Sequence, residues 1–173
     1  MSNLSIWQLV GFTFTAVLGT VLHFLFDWTG VSFFTPISAV NESTWEHMKI
    51  LFFPMLFFAI IQHFIFAKNT KNFWWIKLIG IVIGVTSVPV LFYTYNGCFG
   101  QSPDWLNILF FFISAGSSFL LEFYLFKLNI KLKKRWIPIT VLSLISLCFI
   151  IFTFISPKLP IFQDPLSGLY GII

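Results

Sequence analysis

The sequence predicts an all-α integral membrane bundle of about five transmembrane helices, and three observations carry that prediction. Hydrophobic residues make up 58% of the 173 positions and charged residues 9%, whereas roughly a quarter of a soluble domain is charged. Mean hydropathy is +0.92. The apolar residues gather in five runs, each near the roughly 20 residues that cross about 30 Å of hydrocarbon.

The first run, 6–26, follows a start, 1–5, that lacks the Lys or Arg of a signal peptide. It is also longer than a signal-peptide core and has no small-residue cleavage site, so it reads as a retained helix. The second, 45–67, opens on a dense polar motif and contains Pro54. The third, 73–93, contains Gly80, Gly84 and Pro89, and the fourth, 105–128, contains the small stretch Ser114 to Ser118. Small residues let helices approach closely in lipid, so the third and fourth runs are expected to pack together. Each internal proline removes a backbone hydrogen bond and is expected to kink its helix. The fifth run is 136–155. All seven tryptophans, Trp7, Trp28, Trp45, Trp74, Trp75, Trp105 and Trp136, fall at or just outside the ends of these runs, the headgroup level that an indole ring prefers.

Residues 1–173 read as a single transmembrane domain, and the loops orient it. Lys68, Lys71 and Lys77 cluster around one connection, and Lys127, Lys131, Lys133, Lys134 and Arg135 around another, whereas 27–44 and 94–104 contain no Lys or Arg. Cytoplasmic loops carry the basic excess, which predicts N-in, C-out. The net charge of +4 suits anionic lipid headgroups and not nucleic acid. Cys98 sits in a polar segment and Cys148 in an apolar run, so a disulfide between them is not expected.

The densest chemistry lies at the predicted outer face. Residues 41–49 read NESTWEHMK, in which Ser43 followed three residues later by Glu46 forms a capping box. That accounts for two residues and leaves Glu42, His47 and Lys49 where a helix enters lipid. His23 and Asp27 lie four residues apart on one face of the first helix, at the same level. His23, Asp27, Glu46 and His47 are therefore the candidate ligands of a divalent metal such as zinc, with Glu46 and His47 as candidate catalytic groups. Segments 93–101 and 162–172 are candidate lids over that site. A second group, Gln62, His63, Lys77 and Glu122, falls near the opposite face, where Glu122 needs a partner that Lys77, Lys127 or His63 could supply.

With His23 and Asp27, the 41–49 motif and the tail 164–172 (DPLSGLYGI), the chain resembles, nearly end to end, an uncharacterised family of small bacterial integral membrane proteins with an N-E-S-x-W-E-H-x-K motif. That resemblance implies no activity. There is a fainter likeness to membrane hydrolases of the alkaline ceramidase and progestin-receptor type, which bind zinc through intramembrane histidines. This chain has five predicted spans and not seven, and it lacks their paired histidine motif in a late helix.

No Walker loop, G-x-S-x-G elbow, H-E-x-x-H pair or C-x-x-C is present. Three readings follow. One is an outward-facing polar site that binds a metal ion or lipid headgroup, in the manner of a membrane-embedded hydrolase. Another is a small transporter or channel, which would need to form a homo-oligomer. The third is an accessory or immunity-type protein whose outer loops bind a membrane partner protein.

Overall fold

The computed structural model describes residues 2–67, 70, 72–128, 132 and 134–172. Lys68, Lys71, Lys131 and Lys133, which entered the orientation argument, lie outside the described residues. Five helices are long and apolar enough to cross a membrane: α1 (Ser2–Thr29), α2 (Thr44–Gln62), α3 (Phe73–Phe99), α4 (Asp104–Lys127) and α5 (Trp136–Phe154). The fold expected of a multi-pass membrane protein is present, and the described residues form no strand beyond one isolated bridge, Gln163 to Tyr170.

Helices α1 to α4 close a ring in which each packs on its neighbours and α4 returns to α1, while α5 lies outside against α3 and α2. The most buried helix is α2: 61% of its apolar window is covered by protein, against 22% in α1 and in α5. Lipid faces much of the others, so their exposed Leu, Ile and Phe side chains are in their own solvent. After Gln62 the helix widens into one π-helical turn, His63–Ala67. Pro54 and Pro89 both sit inside continuous helices.

One expectation about a loop is corrected. Helix α3 continues to Phe99, so most of 93–101 is helix rather than lid. Its last turn is closed by the side chain of Asn96, whose Nδ2 donates to Phe92 O at 2.7 Å and whose Oδ1 accepts from Ser102 N at 2.8 Å. That side chain lets the helix outrun the apolar stretch.

Close approach between helices depends on missing side chains. A Cβ on Gly84 would stand 3.0 Å from Ser118 Cβ, and Ser118 Oγ donates to Gly80 O at 2.6 Å, so α3 and α4 meet where the small residues lie. On α1, Gly11 admits the rings of Phe58 and Phe119, and Gly19 admits Phe111. Those two contacts set the level of α1 against α2 and α4. Cys98 and Cys148 are both exposed and free.

Candidate metal centre

The end of α1 and the start of α2 are joined by backbone geometry before any functional side chain is considered. Ala39 N donates to Leu22 O at 3.1 Å, and the connection returns to α2 through Asn41, whose Oδ1 accepts from Ser43 N at 2.8 Å. Ser43 then caps α2, its Oγ accepting from Glu46 N at 3.4 Å. The capping half predicted from the sequence is present. The reciprocal half is not, because the Glu46 carboxylate turns inward and accepts from Val40 N at 3.2 Å.

Cap and turn leave Glu42 projecting between two histidines. Its Oε1 is 3.7 Å from His23 Nε2 and its Oε2 is 3.5 Å from His47 Nε2. The imidazole rings of His23 and His47 are 5.3 Å apart. His47 Nδ1 lies 2.9 Å from Ser43 O. A carbonyl can only accept, so Nδ1 carries a proton, and in the neutral ring the Nε2 lone pair faces Glu42. Metal-binding histidines are oriented this way, by a hydrogen bond from the other ring nitrogen.

Among the described residues, His23, Glu42 and His47 are the one group of three or more His, Cys, Asp or Glu whose ligand atoms all lie within 4.8 Å of one another. Tetrahedral coordination at about 2 Å separates ligand atoms by about 3.3 Å. The two Glu42 distances are therefore within a small side-chain adjustment of a shared ion. Two imidazoles and one carboxylate also leave a fourth position open, as catalytic zinc sites do.

The ligand set expected from the sequence is thereby rearranged. His23 and His47 converge, but the third member is Glu42, which the sequence reading left outside the ligand set. Asp27 is exposed on the last turn of α1, near enough to His23 to act on it through charge alone. Glu46, a candidate for both metal and catalytic roles, faces the bundle interior and pairs with Lys49 Nζ at 2.5 Å. Lys49 is fully buried and also donates to Thr35 O at 2.9 Å and Thr153 Oγ1 at 2.7 Å. All three ammonium protons are used, and the pair braces α2 against the preceding connection and α5. Position i and position i+4 of one helix predict a shared face. No such rule reads the direction of Glu42, which sits outside the helix.

The tail completes this end. Asn41 Nδ2 donates to Gly171 O at 2.7 Å, and Asp164 accepts the backbone N–H of Glu42. The Trp45 ring packs 4.6 Å from Phe162. Segment 162–172 thus lies against the start of α2 and ties down Asn41, the residue before Glu42.

Burial pushes the Asp164 carboxyl upward, but hydrogen bonds from Ser167 Oγ at 2.5 Å, from the Ser167 and Leu166 amides and from the Glu42 amide outweigh it and hold the group below the usual carboxylate range. Because the folded value is depressed, the tail's docking is fully present above the unfolded value of about 3.9 and is lost as pH falls through the lower folded value. Acidification below about pH 4 is expected to shift Trp45 fluorescence. Asp164→Asn should abolish that acid transition; a variant that keeps it would show that another group controls docking.

In the second cluster the structure takes one of the three alternatives read in the sequence. Glu122 takes Lys77 as its partner at 2.5 Å, both groups about 1% exposed. Lys127 lies over the Phe123 ring at 3.7 Å, and His63 sits among Phe64, Phe73 and Trp74.

Residues 1–172 match the model of a family of unknown function, DUF6512. The chain belongs to this family. No curated protein and no solved structure matches it. Membership in DUF6512 agrees with a multi-pass membrane protein and supplies no activity, so the functional reading rests on the chemistry of the helix ends.

Proposed function

We propose that this multi-pass membrane protein holds a divalent metal ion of the zinc type on His23, Glu42 and His47 and uses it to activate water against a lipid or lipid-linked substrate. The observation that carries the reading is the pair of histidines facing one carboxylate, with the His47 tautomer fixed by Ser43 O so that Nε2 is free to bind. Without a cation or an added proton, a lone pair would face a carboxylate at 3.5 Å, an unfavourable arrangement. Two neutral ligands and one anionic ligand leave the ion a net positive charge, which lowers the pKa of bound water toward neutrality.

The setting supports a membrane substrate. His23 and His47 lie toward the ends of spanning helices, a position that suits contact with headgroups. The lysine distribution of the sequence supports an outer-face position for this end, N-in and C-out.

Metal analysis of detergent-purified protein tests the reading. One equivalent per chain is expected after equilibration with zinc, with loss in a folded His47→Ala variant. Protonated histidines paired to Glu42 predict instead no metal uptake and identical behaviour of wild type and variant. That result would reject the proposal.

A further inference from the structure

The four-helix ring contains a layer of polar side chains with unbonded atoms, at the end opposite His23. Phe58 of α2 and Phe119 of α4 both meet Gly11 of α1, which fixes one level across three helices. One turn further toward the opposite end, each of those helices carries a polar residue: Gln8 on α1, Gln62 on α2 and Glu122 on α4. All three are more than nine-tenths buried, at 6%, 0% and 0% exposure.

Both amide atoms of Gln8, both of Gln62 and Oε1 of Glu122 lack any hydrogen-bond partner. Gln8 approaches the Glu122 carboxylate closely enough to act on it, without the full geometry of a hydrogen bond. Glu122 gives its other oxygen, Oε2, to Lys77, and the Lys77 ammonium is ringed by Phe58, Phe73, Phe119 and Phe126 at 5.5–5.9 Å. Phenylalanine faces attract a cation but accept no strong hydrogen bond, so the ammonium has donors to spare. Gly80 lets the carboxylate into this layer, since a Cβ there would come within 2.5 Å of Glu122 Cγ and 2.6 Å of Oε1.

Five unpaired polar atoms at one level are costly in a medium that cannot hydrate them, since each buried unsatisfied group costs about 1–3 kcal/mol. A water molecule placed there finds the two to four polar partners that buried water requires. We infer that Gln8, Gln62 and Glu122 enclose a cluster of ordered water that hydrates the Lys77–Glu122 pair inside the membrane-spanning bundle. The guest is water and the hosts are two amides and one carboxylate. The site is separate from the His23 centre and stands whether or not that centre binds metal.

Hydroxyl-radical footprinting of the full chain in detergent, with radicals generated from water by X-rays and read by mass spectrometry, tests this directly. Bound water produces radicals in place, so Phe58 and Phe119, 2% and 4% exposed, are expected to be labelled at rates nearer that of the loop residue Phe33 than that of Phe52, which is fully buried elsewhere in α2. Gln8→Leu/Gln62→Leu should abolish that labelling; where the double variant does not fold, Gln62→Leu should reduce it. Unlabelled Phe58 and Phe119 in the wild type would overturn the inference. So would labelling that persists unchanged in a folded variant.

Discussion

Lys77→Met is expected to destabilise the bundle by about 3–5 kcal/mol, because it leaves the buried Glu122 carboxyl without its cation. In a chain of this length that corresponds to a fall in Tm on the order of 10 °C. Thermal melting in detergent, followed by circular dichroism, measures it. Removing the pair together gives the opposite lesson. Lys77→Met/Glu122→Leu is expected to regain most of the loss, since replacing a buried pair by apolar residues of similar volume is often neutral or stabilising. A double variant as unstable as Lys77→Met alone would mean that the ammonium packs chiefly through its contacts with the four phenylalanine rings.

The second large effect separates two glutamates four residues apart. Glu42→Gln removes the one carboxylate between the histidines, and zinc affinity is expected to fall by more than the roughly 100-fold that loss of an outer-shell partner produces. Its melting temperature should stay close to wild type, because Glu42 is among the more exposed groups of the site and holds no buried partner. Glu46→Gln has the reverse signature. It strands the Lys49 ammonium, fully buried and paired at 2.5 Å, at a cost of about 3–5 kcal/mol, while metal stoichiometry in the folded fraction remains one per chain. Calorimetric zinc titration beside thermal melting reads both quantities. If Glu46→Gln lost the metal and Glu42→Gln kept it, the ligand set would be the one first suggested by helical spacing.

The five spans were legible in the sequence because lipid demands long apolar runs and places tryptophan at their ends, two signals that need no tertiary information. The α3–α4 approach was legible for a similar reason, since Gly80, Gly84 and the Ser114 to Ser118 stretch have few other uses in a membrane helix. The candidate site was half legible. Spacing brought out His23, the unexplained polarity at the helix entrance brought out His47, and the capping pattern identified the Ser43 contact to the Glu46 amide. What spacing could not supply was the direction of carboxylates at a helix entrance. Glu46 had two credible destinations, back to the cap or down to Lys49, and the buried ammonium won because an unpaired charge there is far costlier than an unsealed capping box. Glu42 precedes the helix, so its direction follows from the Asn41 turn and the tail, contacts made across more than a hundred residues of chain. Gln8 carried no signal at all in the sequence, because its meaning lies in what it fails to touch.

The bond from Asn41 to Gly171 and that from the Glu42 amide to Asp164 also bear on the order of synthesis. A ribosome releases α1 and α2 into the membrane long before residues 164–171 leave its tunnel. His23 and His47 can meet as soon as those two helices are side by side, but the turn bearing Glu42 has no tail to hold it until translation has reached the far end of the chain. The Glu42 turn is thus fixed only after α5 has been made, and a nascent protein that stalled earlier would carry His23 and His47 without a held Glu42 between them.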